Sequence, residues 1–162
     1  MSPHDGKVLG QIEISDSAMI SAAVAAAREA LAPWAALGVA GRVLKLRRFL
    51  EIFTMRAEEF AKLASREMGM PLADSEADAR SAIEYFEWYL NNAEKYLAPE
   101  VTYDSVGSTS TVYREPLGVA AVITPWNYPA SNFVWGCGQN LVAGNTVVFK
   151  HSEEVALCGK LI

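Results

Sequence analysis

The chain has 162 residues, 51% of them hydrophobic and 20% charged, enough apolar side chain for one domain-sized core. Its 14 basic and 19 acidic residues leave a net charge of -5, which offers nucleic acid no basic face. Two histidines and two cysteines without a CxxC pair exclude a zinc cluster, and no apolar run reaches the length of a membrane span.

Lys7 to Ile14 alternates enough to read as a short strand. Ser15 or Asp16 can then cap a helix in which Ile20, Val24, Ala27 and Leu31 recur at helical period, with Pro33 as its expected end. Val39, Val43, Leu46, Leu50 and Phe53 mark a second helix, continued over 55 to 68 with Phe60, Leu63 and Ala64 inward. Arg42, Lys45, Arg47 and Arg48 are expected on its solvated face. Gly69 followed by Pro71 is a helix stop. A long helix follows from about Leu72 to Leu97, striped by Ile83, Phe86, Leu90, Ala93 and Leu97. Tyr85, Trp88, Tyr89 and Tyr96 widen its apolar face, as if it packed on more than one element.

After Pro99 the texture becomes β-branched and aromatic. Val101 to Tyr103 and Thr109 to Arg114, separated by Asp104 to Ser108, read as an antiparallel hairpin. Val119 to Ile123 is a continuous apolar run suited to a strand covered on both faces. A loop at 124 to 129, a helix from about Ala130 to Ala143 and a strand at Thr146 to Lys150 complete a βαβ unit, and Ser152 can cap a further helix. The fold class expected is therefore α/β: a helical lead-in (1–98), a hairpin (99–118) and a first βαβ unit (119–162) opening an incomplete Rossmann-like parallel sheet. Two strands are too few to cover themselves, so Val122, Val148 and Phe149 are expected to be partly uncovered and the sheet edges open. In such sheets ligands sit outside the carboxyl ends of the strands, here 124 to 129 and 150 to 153.

The motifs in those places resemble aldehyde dehydrogenases in order and spacing. They are Arg114-Glu115-Pro116-Leu117-Gly118-Val119, Ile123-Thr124-Pro125-Trp126-Asn127-Tyr128-Pro129 and Gly144-Asn145-Thr146-Val147-Val148-Phe149-Lys150. Gly6-Lys7-Val8 and Glu67-Met68-Gly69-Met70-Pro71 extend the likeness over nearly the whole chain. The resemblance implies a partial cofactor-binding domain of an enzyme that oxidises an aldehyde with NAD, or NADP. It implies that Asn127 is the oxyanion donor, a fixed neutral N–H aimed where negative charge builds on the substrate oxygen. By the same resemblance Lys150 and Glu153 hold the adenosine ribose, and Ile123, Thr124, Pro125 and Trp126 line the nicotinamide side. A carboxylate at Glu153 would repel a 2′-phosphate, which favours NAD. His151 stands where many relatives have proline.

The family's cysteine nucleophile and glutamate base match no residue of this chain, which is expected to be the N-terminal part of the enzyme and inactive in isolation. Cys137 and Cys158 read as buried apolar residues. A complete enzyme is expected to form a homo-oligomer, with no nucleic-acid or membrane partner. Few cysteines and no apolar signal stretch lead to the expectation of a cytoplasmic protein. The alternative reading is a non-catalytic interaction module, or one half of a split enzyme.

Overall fold

The computed structural model describes residues 1–162. Three helices come first: α1 (Ser17–Ala36), α2 (Gly38–Met68) and α3 (Leu72–Leu97). Asp16 caps α1 by accepting from the Met19 N–H at 2.8 Å, as its position suggested. Gly69 closes α2 in the left-handed region at φ 78°, where a side chain would be strained. Helix α3 keeps the bounds read from its periodicity, with Phe86, Leu90 and Ala93 buried and Phe86 set against Phe49 of α2.

Three sequence expectations change. Residues 7 to 14 form no strand, because no neighbouring strand pairs with them; the Lys7 carbonyl accepts only from the nearby Ser2 N–H at 2.8 Å, and Gly10 lies against Leu157. Pro33 lies inside α1 and not at its end. So near the terminus its missing N–H removes only one ladder bond, and the last turn is tied by the Trp34 indole, which donates to the Leu141 carbonyl at 3.0 Å. Arg42 is buried, away from the solvated face. Helix α3 does pack on more than one element, meeting α2 and the later helix through 129–143, but its aromatic margin is not covered: Tyr85, Trp88 and Tyr96 stay exposed, and only Tyr89 is half-buried.

A hairpin of β1 (Glu100–Ser105) and β2 (Ser108–Val112) follows, paired antiparallel about a Val106-Gly107 turn that is tighter than expected. It stands clear of the core, with only Thr111 half-buried. Then come β3 (Val119–Ile123), a crossover helix, and β4 (Thr146–Lys150), parallel to β3 in the register Val119↔Thr146 to Ile123↔Lys150. The crossover helix is α4 (Pro129–Phe133), a π-turn (Val134–Gly138) and α5 (Gln139–Ala143). A 3-10 turn (Glu153–Val155), capped by Ser152, and the short α6 (Ala156–Leu161) end the chain.

Side chains alternate across a strand, so β4 serves two faces. The Thr146 hydroxyl donates to the Ala27 carbonyl of α1 at 2.8 Å, while Phe149, of opposite parity, meets Phe133 of the crossover helix at 5.3 Å between ring centroids. Phe133 continues to Phe49 at 5.6 Å, and Phe49 to Phe86 at 5.7 Å, so one aromatic path joins the helical lead-in to the sheet. Helices pack on both faces, but Ala121 and Ile123 stay exposed, each strand pairs only with the other, and Val122, Val148 and Phe149 remain half-buried, as two strands alone require.

Gly136, in the π-turn, lies directly over Val122, and a Cβ there would collide with Val122 Cγ1. Gly136→Ala is expected to cost about 1–3 kcal/mol through overpacking. A urea midpoint equal to that of the parent would show that helix and strand can part without loss.

Candidate functional site

The register of β3 and β4 puts Ile123 and Lys150 side by side at the carboxyl end of the sheet. The Thr124 N–H extends this pairing by donating to the Lys150 carbonyl at 3.1 Å. Beyond it the chain turns through Pro125, Trp126, Asn127 and Tyr128 into the crossover helix. Ile123, Pro125, Trp126 and Asn127 are exposed and Thr124 is half-buried, so this rim faces outward. The neighbouring strand delivers Lys150, whose ammonium donates to the Glu153 carboxylate at 2.9 Å. Glu153's own backbone N–H, then the Lys150 ammonium, hold its carboxyl below the usual range. His151, between them, donates from Nδ1 to the Ser152 carbonyl at 2.8 Å and rests its ring on Gly159, where any side chain would collide. Lys150 and Glu153 are thus in contact, and Asn127 lies exposed in the loop that follows the adjacent strand, without a hydrogen bond to either.

Charged residues of the helical lead-in hold the helices behind this rim, and sequence reading missed their role. Asp78 of α3 is 5% exposed. Its two oxygens accept from the Ala130 and Ser131 N–H groups at 3.0 and 3.1 Å. Burial pushes its carboxyl above the ordinary range, against the Ser131 hydroxyl and these two backbone donors, which pull it down. Glu67 of α2 does the same for α6, accepting from the Leu157 and Cys158 N–H groups, both at 2.8 Å. Arg42 takes the opposite end of the crossover helix, donating from Nε to the Val142 carbonyl at 3.1 Å. Carboxylates at helix N-termini and a guanidinium at a C-terminus each match the sign of the local dipole. The caps join residues far apart in sequence, so no local pattern announces them.

Neither cysteine is poised for attack. Cys137 is 1% exposed, and burial pushes its thiol up to about 12. Cys158 is buried as well, its thiol raised by burial first and then by Glu67 beside it. A thiol kept protonated in apolar surroundings is a packing residue.

An open parallel α/β sheet with a polar rim at the carboxyl ends of its strands defines the class: folds in which a ligand, where one binds, sits at that rim. The sequence matches the profile of the aldehyde dehydrogenase family over residues 1–162, and the chain belongs to that family. It is 32% identical over 153 residues to a glutarate-semialdehyde dehydrogenase of Pseudomonas putida, covering 94% of this chain and 32% of the relative. To a succinate-semialdehyde dehydrogenase [NADP(+)] of Escherichia coli it is 29% identical over 153 residues, covering 94% and 32%. The crystal structure of PnpE in complex with nicotinamide adenine dinucleotide superposes with a TM-score of 0.91 at 36% identity, over 99% of this chain and 33% of that one. The chain therefore spans about a third of the length of these relatives.

Proposed function

We propose that this chain is the N-terminal part of an NAD(P)-dependent enzyme that oxidises an aldehyde to a carboxylic acid. The observation that carries the reading is the parallel register of Ile123 with Lys150, which brings the ends of the two strands together; the loop bearing Asn127 follows one and the Lys150–Glu153 pair the other. In this reading the Asn127 carboxamide donates to the aldehyde oxygen as a nucleophile from outside this segment adds to the carbonyl carbon. Lys150 and Glu153, both exposed and paired with each other, fit the hydroxyls of an adenosine ribose as donor and acceptor. Ile123, Thr124, Pro125 and Trp126 form the wall beside the nicotinamide, which supplies a hydride acceptor when bound.

The same proposal includes a cytoplasmic, homo-oligomeric complete enzyme, with NAD preferred because the Glu153 carboxylate would face a 2′-phosphate with like charge. Because the relatives above are named for semialdehydes, aldehydes carrying a distal carboxylate are the first substrates to try.

The test is made in the enzyme that carries this segment. Lys150→Met is expected to raise KM for NAD about tenfold, through loss of a charge-assisted hydrogen bond. Glu153→Gln is expected to shift the NADP-to-NAD ratio of kcat/KM upward by roughly five- to tenfold by removing one like charge. Cofactor parameters unchanged in both variants would remove the ribose assignment.

A further inference from the structure

We propose that Asp78 is a positioning residue for Asn127: by gripping the first turn of the crossover helix from α3, it fixes the loop that presents the Asn127 carboxamide. This rests on the reading of Asn127 as the oxyanion donor. A helix begins with four backbone N–H groups that its own ladder leaves free. Here the residue at the N-cap position is Tyr128, which makes no side-chain cap bond. Pro129 occupies the first helical position and has no N–H to satisfy. The next two donors, Ala130 and Ser131, are the two that Asp78 accepts from. Asn132 makes the first ladder bond, donating to the Tyr128 carbonyl at 2.8 Å, and its side-chain amide reaches back to the Pro125 carbonyl at 3.4 Å.

The loop therefore has two fixed ends. Its entry is tied to the sheet where the Thr124 N–H meets the Lys150 carbonyl at 3.1 Å. Its exit is tied to α3 through Asp78, with Pro129, Ala130 and Ser131 all buried there. Between the two ends Trp126, Asn127 and Tyr128 are exposed, and the core does not hold them. The position of the Asn127 amide is inherited from its anchors, and at the exit one carboxylate, Asp78, holds two of the helix's free N–H groups at once. An electrostatic donor works only if it is already in place when charge develops, and a misplacement on the order of 1 Å can cost about 10²-fold in rate.

The experiment is a double-mutant cycle on Asp78→Asn and Asn127→Ala in the enzyme that carries this segment, with kcat expressed per titrated active site. Asp78→Asn keeps the shape but sets an NH2 against one of the two backbone donors. Alone it is expected to lower kcat by about 10- to 100-fold, with KM for NAD unchanged, and to speed amide exchange at Ala130 and Ser131. In the Asn127→Ala background it is expected to lower kcat by less than about twofold, since the group it positions is gone. An equal loss in both backgrounds, or faster exchange with kcat unchanged, would reduce Asp78 to a stability cap and overturn the proposal. Were Asn127→Ala itself without effect on kcat, the oxyanion reading would fall first, taking this inference with it and locating the fault at Asn127. If Asp78→Asn does not fold, Asp78→Glu, which keeps the charge one methylene further out, runs through the same cycle.

Discussion

Replacing Arg42 with leucine is expected to lower the stability of the fold by about 2–4 kcal/mol, the range for losing charge-assisted hydrogen bonds and leaving their buried acceptors bare. The guanidinium is 5% exposed. It donates to the Val142 carbonyl at 3.1 Å and to the Ala35 carbonyl at 3.2 Å, bridging the ends of α5 and α1. No carboxylate pairs with it; the partial negative charge of two helix C-termini takes that place. Burial lowers its pKa from the ordinary arginine value, which is so high that the group stays charged. It also sits in a space that only glycine leaves open. Gly144 closes α5 at φ 102°, and a Cβ there would lie 2.6 Å from Pro116 Cγ and 3.1 Å from Arg42 Cζ. Leucine fills part of the volume and supplies no donor. Arg42→Lys, a point donor without the planar fork, is expected to recover only part of the loss. The measurement is a urea midpoint at unchanged m-value. A shift worth less than about 0.5 kcal/mol for Arg42→Leu would mean that water serves both carbonyls and that the bridge does not matter.

The second large effect is catalytic. In the enzyme that carries this segment, Asn127→Ala is expected to lower kcat by about 10²–10³-fold, the range for removing one oxyanion donor from an acyl-transfer site. KM for NAD is expected to stay within about twofold, because an interaction made only as charge builds on the aldehyde oxygen does not bind the cofactor. Asn127→Asp is expected to be worse than alanine, since a carboxylate would oppose the developing negative charge. The structure supports this in one respect: the side chain is exposed on the rim, where a substrate oxygen can reach it. A kcat for Asn127→Ala within a factor of about three of the parent would end the assignment.

What could be read from the sequence divides by the range of the interactions concerned. The bounds of α3, β3 and β4 follow from periodicity and from nearby punctuation, so reading them needs only a short window of sequence. The Asp16 cap and the Gly69 stop are equally local. The Lys150–Glu153 pair belongs with these, because three residues separate its members. Asp78, Glu67 and Arg42 do not, since each answers backbone groups that reach it only after the chain has folded back. Seen alone, a charged residue in a helix is indistinguishable from a solvated one, and Arg42 was placed on the wrong face for that reason. Pro33 failed as a stop in the same way: Trp34 gains a partner in Leu141 across the fold, which outweighs one missing ladder bond. Residues 7 to 14 have the alternation of a strand, but alternation does not supply a neighbour to pair with.

The bare edges of the β3–β4 pair restrict how the architecture can grow. The free backbone N–H and C=O groups lie at the two edges, so additional strands can enter only sideways. Every strand added in the same direction would bring its carboxyl terminus to the line where Ile123 and Lys150 now stand. Enlargement would therefore lengthen a single lip and open no second one, and new binding groups would gather beside the old ones.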